Sequence, residues 1–206
     1  MKYHDVEQGS DDWFRMRLGI PTASNFDKIM TPKKMELSKS ADTLIAELIA
    51  EKISEILPER AETYSSRAME WGKQTEEEAR RFYCMDQNVT TTNGGFCTTD
   101  DGRIGCSPDS LVNGDGCLEL KCPQPKTHVQ YLLDGVLPDE YKPQVHGHLI
   151  VTGRKYCDFV SYALNFPPLI IRVTPDEYTL KLSQVIYEQF LPRYDELLAK
   201  IKERMS

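Results

Sequence analysis

No run of apolar residues in this sequence approaches the ~18 needed to span a bilayer. The opening Met1-Lys2-Tyr3-His4-Asp5 has none of the apolar core of a secretion signal, so a cytoplasmic protein is expected. A Cys-x-x-Cys pair is missing, and with it the usual sign of a zinc or redox site. The six cysteines (Cys84, Cys97, Cys106, Cys117, Cys122 and Cys157) are therefore read as free thiols, ahead of a metal cluster or disulfides. Positive charge is in deficit: 25 Lys and Arg against 32 Asp and Glu give 25 − 32 = −7. That argues against a general electrostatic coat for nucleic acid but leaves room for a local basic groove. Repeats, low-complexity tracts and Ser/Gly-rich linkers are lacking too, and a chain of 206 residues with 40% hydrophobic and 28% charged residues has ordinary globular usage. One domain over residues 1–206 is expected; disordered and fibrous classes are excluded.

The apolar spacing predicts helices first. Ser10 or Asp11 caps a short helix carrying Trp13, Phe14 and Arg17, and a second start follows Thr22 with Phe26, Ile29 and Met30. Over 41–57, Leu44, Ile45, Leu48, Ile49, Ile53 and Ile56 recur at helical spacing until Pro58. From Arg67 to about Met85 a further helix turns Ala68, Trp71, Ala79, Phe82 and Tyr83 toward a core. The period then changes. Residues 88–122 read as antiparallel strands with turns at Asn93-Gly94-Gly95, Asp101-Gly102 and Asn113 to Gly116. Helices near 126–134 and 139–152, strands at 156–164 and 169–173, and a helix over 176–203 broken at Pro192 complete an α/β or α+β pattern, a mixed central sheet flanked by helices.

The chemistry concentrates in Ser107-Pro108-Asp109, nine residues, and Glu119-Leu120-Lys121. Period-two alternation sends Glu119 and Lys121 to one face of a strand and Leu118 and Leu120 to the other, and a turn at Asn113–Gly116 returns the chain so that Asp109 lies beside Glu119. Two carboxylates and an ammonium in one place suit phosphodiester hydrolysis. A hard divalent cation binds carboxylates, carbonyls and water and activates a phosphoryl oxygen, while the Lys orients or deprotonates water or offsets transition-state charge. Alone, the pattern also fits an ordinary hairpin with a cross-strand Lys–Glu pair.

Four blocks together resemble one family. Val6-Glu7-Gln8-Gly9 with Trp13-x-x-x-Arg17-Leu18-Gly19-Ile20 and Thr22-Ala23-Ser24 is similar to the amino-terminal motif of the lambda-type phage exonucleases, also called YqaJ-like viral recombinase nucleases. Trp71-Gly72-Lys73-Gln74-Thr75-Glu76 resembles their W-G-x-x-x-E helix, Cys106–Asp109 with Leu118–Pro123 their catalytic core, and Tyr141-Lys142-Pro143-Gln144-Val145 their Gln-bearing helix. The resemblance covers residues 6 to about 152. It implies a PD-(D/E)-x-K restriction-endonuclease-like fold and a Mg²⁺-dependent enzyme, with Mn²⁺ as a substitute and two ions per site. The activity implied is degradation of duplex DNA from 5′ ends, releasing 5′-mononucleotides and leaving a 3′ single-stranded tail for recombination by annealing.

By the same resemblance Asp109, Glu119 and the Leu120 carbonyl bind metal, and Lys121 is general base or water-positioning group. Gln144 holds Lys121 or the water, and Glu76 acts through metal-bound water. Arg17, Ser24 and Ser107 receive a terminal 5′ phosphate. A homotrimer, a single-strand annealing partner, and a phage or prophage chain working in the bacterial cytoplasm are implied as well. His148 stands where some relatives have Tyr. The rival expectations are a structure-specific endonuclease or single-strand exonuclease of the same fold, or a non-catalytic DNA-end-binding module.

Other residues have plainer expectations. Trp13 and Trp71 are read as core aromatics. Without the resemblance, Arg17 would pair with Asp11 or Asp12. Glu77 and Glu78 point away from Glu76 and are read as solvated. His146 and His148, two apart on a helix, cannot face one ion and are read as structural. Lys33, Lys34 and Lys39 lie in a loop that either touches the DNA backbone or is solvated.

Overall fold

The structure, a computed structural model, describes residues 1–31, 33–56 and 66–205, with backbone alone for 66–74. Its elements in order are β1 (Lys2–His4), α1 (Asp11–Arg17), a 3₁₀ helix (Ala23–Lys28), α2 (Ala41–Ser54), α3 (Ser66–Asp86), β2 (Thr91–Asn93), β3 (Phe96–Thr98), β4 (Gly105–Cys106), β5 (Ser110–Val112), β6 (Gly116–Lys121), α4 (Pro125–Asp134), α5 (Lys142–Thr152), β7 (Tyr156–Ser161), β8 (Leu169–Val173), α6 (Glu177–Val185), a π turn (Ile186–Phe190) and α7 (Leu191–Met205). A five-stranded mixed sheet runs β2-β5-β6-β7-β8, in which only the β6–β7 pairing is parallel. A second, three-stranded antiparallel sheet runs β1-β3-β4.

The alternation of β6 decides what each face of the larger sheet meets. Leu118 and Leu120 pack with Val112 and Val160 against Ala79 and Tyr83 of α3. On the opposite face Cys117 joins Leu111, Cys157 and Phe159 under Val145 and Leu149 of α5. Glu119 and Lys121 thus face α5, the helix that carries Gln144 and His148. At the centre of α5, Gly147 allows the helix onto the 3₁₀ helix: a Cβ there would lie 2.8 Å from the Ala23 Cβ and 2.8 Å from the Phe26 ring. The third core joins the 3₁₀ helix, α2, α6, the π turn and α7 around Phe26, Ile45, Leu182 and Phe190.

Several expectations change in detail. The turn at Asn93-Gly94-Gly95 does not close a hairpin, because β2 pairs with β5 while β3 pairs with β1 and β4; it crosses between sheets. β1 has no counterpart in the sequence reading, since three residues are too few to show a period. α2 ends at Ser54, with Glu55 in the left-handed region and Ile56 exposed; Pro58, like the side chains of Ala68 and Trp71, lies outside what is described. The break expected at Pro192 falls one turn earlier, as the π turn at Ile186–Phe190, with Pro192 in the first turn of α7. A proline lacks the N–H for the preceding turn and its ring crowds the carbonyl four residues back, so a widened turn immediately before it relieves both. All six cysteines are free. Among the described residues no helix is long and apolar enough to cross a membrane.

Candidate active site

Asp109 precedes β5 and is held by the hairpin geometry. Its N–H donates to the Leu118 carbonyl at 3.0 Å, and its Oδ2 accepts from the Leu120 N–H at 2.6 Å. Ser110 pairs with Leu118 in the β5–β6 register, which sets Asp109 beside Glu119. Two further contacts fix the approach to it. The Gln8 amide donates to the Pro108 carbonyl at 3.0 Å, and Gly94 lies so close to that carbonyl that a Cβ would fall 1.6 Å from its oxygen. From α3, the Arg80 guanidinium donates to Ser110 Oγ at 3.0 Å and to the Asp109 carbonyl at 3.4 Å.

Glu119 is 1% exposed and both of its oxygens are engaged. Lys121 Nζ donates to Oε1 at 2.6 Å, and His148 Nε2 lies 2.8 Å from Oε2. A carboxylate only accepts, so Nε2 is the ring nitrogen that bears the shared proton. Lys121 also stands 5.1 Å from the centre of the Tyr141 ring. Among the described residues no hydrogen bond joins Gln144 to Lys121, one of the two contacts that the resemblance implied. Gln144 is half-buried on α5, one turn before His148, with its amide unbonded to other described residues.

The electrostatics are those of a site short of positive charge. Burial, reinforced by the Glu119 charge and by Glu76, pushes the Asp109 carboxyl up to about 8, against the opposing pull of the Leu120 N–H and Lys121. Burial also pushes Glu119 up, but His148 and Lys121 outweigh it and the net direction is downward. For Lys121 burial pulls down and Glu119 raises; the net direction is upward, so the ammonium stays charged beside its carboxylate. Among the described residues no three His, Cys, Asp or Glu side chains converge on one point. Glu76 is exposed and acts on Asp109 only through its charge. The donor set is thus two carboxylates with main-chain oxygens nearby. That fits Mg²⁺, which uses one or two carboxylates and keeps several waters, and it does not fit a closed zinc cage.

The second cluster is built on Arg17. Its guanidinium donates to Thr22 Oγ1 at 3.0 Å, Ser24 Oγ at 3.2 Å and Ser107 Oγ at 3.5 Å. Among the described residues these hydroxyls, and not Asp12, are its hydrogen-bond partners. Burial draws the guanidinium down to about 10, against Cys106 and Glu51. Trp13 is no core residue: α1 buries none of its side chains. Trp13 instead lies 4.1 Å under the Arg17 guanidinium and donates from Nε1 to Ser107 Oγ at 2.8 Å. With Ser107 accepting from both, its own hydroxyl proton is left to donate outward, which suits an anion. Ser10 caps α1 by accepting from the Trp13 N–H, and this turns Trp13 and Arg17, one helical turn apart, to the same side.

A family model described as the YqaJ-like viral recombinase domain matches residues 12–155. The chain belongs to this family. An alkaline exonuclease (LHK-Exo) from Laribacter hongkongensis is 28% identical, with a TM-score of 0.77 over 95% of this chain and 98% of that one. Its complex with dAMP gives a TM-score of 0.80 at the same 28% identity and the same coverage, 95% and 98%. A phage-related exonuclease from Haemophilus somnus 129PT, 12% identical, shares the fold, with a TM-score of 0.63 over 88% of this chain and 96% of that one. Among curated proteins none matches the sequence. The fold is of the PD-(D/E)-x-K type found in these exonucleases.

The structure therefore brings Asp109, Glu119, Leu120 and Lys121 together, and Arg17, Ser24 and Ser107 together, with Glu76 and Gln144 on adjoining helices. The sequence reading gave Trp13, Arg80 and His148 no part in either cluster. All three stand one helical turn from a named residue: Trp13 before Arg17, Arg80 after Glu76 and His148 after Gln144. That spacing is the signal that would have found them. Glu77 and Glu78 are partnered rather than merely solvated: Glu77 pairs with Arg80 and Arg81, and Glu78 accepts from the Tyr162 hydroxyl at 2.9 Å.

Proposed function

We propose that the chain is a Mg²⁺-dependent exonuclease that enters duplex DNA at 5′ ends, releases 5′-mononucleotides and leaves a 3′ single-stranded tail for recombination by annealing. One observation carries this reading. Ser107 of the Arg17 cluster and Asp109 of the carboxylate centre are two residues apart on one extended segment, which places them within about 7 Å along the backbone. A terminal phosphate on Arg17 therefore sets the neighbouring phosphodiester at Asp109 and Glu119. The Laribacter exonuclease has been crystallised with dAMP, a deoxynucleoside monophosphate of the product class.

Asp109, Glu119 and the Leu120 carbonyl would hold Mg²⁺, two ions per site, and Mn²⁺ would substitute. A bound ion would supply Lewis acidity at the phosphoryl oxygen and acidify water. The protein groups do the rest. Lys121 stays cationic, orients the attacking water and offsets charge developing on the phosphoryl oxygens. Gln144, with a free amide one turn from His148, orients that water, and Glu76 binds the outer water shell. Arg17, Ser24 and Ser107 grip the terminal phosphate, fixing the register of one nucleotide per cut.

A linear duplex and a covalently closed circle of the same sequence, incubated with Mg²⁺, test the reading. Mononucleotides should come from the linear DNA while the circle stays intact, and Lys121→Ala should leave both whole. Nicking of the circle would assign an endonuclease instead.

A further inference from the structure

We propose that His148 is a positioning residue for Glu119, fixing the plane of that carboxylate for a divalent cation. The inference rests on the nuclease reading above, and its test separates the two. Glu119 lies in the layer between β6 and α5, and its two oxygens are held from two different elements: Oε1 by Lys121 of its own strand and Oε2 by His148. The Lys121 hold is adjustable, because four methylenes lie between its ammonium and the backbone.

The His148 hold is rigid. The ring is 1% exposed, and α5 is pressed onto the 3₁₀ helix at Gly147, next in sequence. Each carboxylate oxygen has two lone pairs, so both keep one for a cation after accepting these bonds. A carboxylate that is bonded in this way does not rotate when it binds, and outer hydrogen bonds of this kind commonly govern metal affinity.

His146 provides an internal control. On the same helix, two residues earlier, it turns to the other side, where Nδ1 meets Thr179 Oγ1 at 2.8 Å. His148 Nδ1, by contrast, is buried with no partner among the described residues. Among the described residues the His148 ring makes one hydrogen bond, and that bond is to Glu119.

The test measures Mn²⁺ binding to the DNA-free protein by calorimetry, with circular dichroism melting as a check of folding and Mg²⁺-dependent digestion of linear duplex as a second readout. His148→Leu should weaken Mn²⁺ binding about tenfold to a hundredfold, the range found for lost outer-shell bonds. The Mg²⁺ needed for half-maximal digestion should rise in parallel, with kcat largely recovered at saturating Mg²⁺. His148→Gln, whose amide nitrogen reaches the Nε2 position, should restore binding; His148→Asn, too short to reach, should not, and this pair decides the matter if the Leu variant fails to fold.

Folded Leu and Asn variants that bind Mn²⁺ like the wild type would overturn the proposal, and so would a Gln variant as weak as the Leu variant. Wild-type protein that binds no Mn²⁺ overturns the proposal and the nuclease reading together. Wild-type binding that depends on His148 without any DNA hydrolysis overturns the nuclease reading alone.

Discussion

Arg17 is a half-buried cation that donates to three hydroxyls and lies over an indole. A guanidinium held by hydroxyls keeps its charge for a ligand. Arg17→Ala should therefore cost about 1.5–3 kcal/mol of binding to a 5′-phosphorylated end, the worth of charge-assisted hydrogen bonds. The preference for 5′-phosphate over 5′-hydroxyl duplexes should fall by roughly tenfold to a hundredfold, with digestion of hydroxyl ends little changed, as read by initial rates on the two substrates. Equal loss on both would assign Arg17 to folding. Asp109, Glu119 and Lys121 were legible because strand alternation and a Gly-rich turn determine their placement from nearby residues alone. His148 and Arg80 were not, because their partners lie across a layer and only the packing of α5 and α3 on the sheet shows which side chain is met.

At the scale of elements the same division holds. α1, α2, α4 and α5 were legible from apolar spacing, from Ser10 as a cap and from Gly153 as a stop, and the structure puts Gly135 and Gly153 in left-handed conformations at the ends of α4 and α5. The separation into two sheets was not legible, since periodicity names strands without naming partners. Asp158 shows the cost of that gap. It reads as one polar residue in an apolar strand, yet it is fully buried and binds Tyr83 of α3 at 2.7 Å and Arg172 of β8 at 2.8 and 2.7 Å.

The start of α6 gives a prediction at this scale. Asp176 caps it, accepting from the Thr179 N–H at 3.0 Å. Burial pushes the Asp176 carboxyl up, but the Thr179 bonds, His146 and Lys142 outweigh it and hold it below its ordinary 3.8. A carboxylate held low in the fold stabilises fully above the unfolded value and loses that contribution as pH falls through the folded one. Asp176→Ala should cost about 1 kcal/mol at pH 7. The gap in melting temperature between variant and wild type should close as the solution is taken below about pH 4, near the ordinary aspartate value. A gap that persists unchanged at low pH would show that the cap does not act through its charge.

For the whole molecule, a net charge of −7 has to be reconciled with DNA as substrate. The resemblance to lambda-type exonucleases leads us to propose a ring of three chains, with head-to-tail interfaces and a central channel for the duplex. Enclosure lets a few cations in the channel suffice, while an acidic exterior discourages binding elsewhere. Sedimentation at micromolar concentration should give three times the 23.6 kDa chain mass; a monomer that digests long duplexes without releasing them would contradict the ring.

In the proposed reaction one strand is consumed from its 5′ end by the centre at Asp109, Glu119 and Lys121. The direct measurement labels a linear, 5′-phosphorylated duplex at either the 5′ or the 3′ ends and follows label release with Mg²⁺ present. Immediate release of the 5′ label as mononucleotide is expected, with the 3′ label retained in a single-stranded product. Early release of the 3′ label, or release of both labels within oligonucleotides, would contradict it.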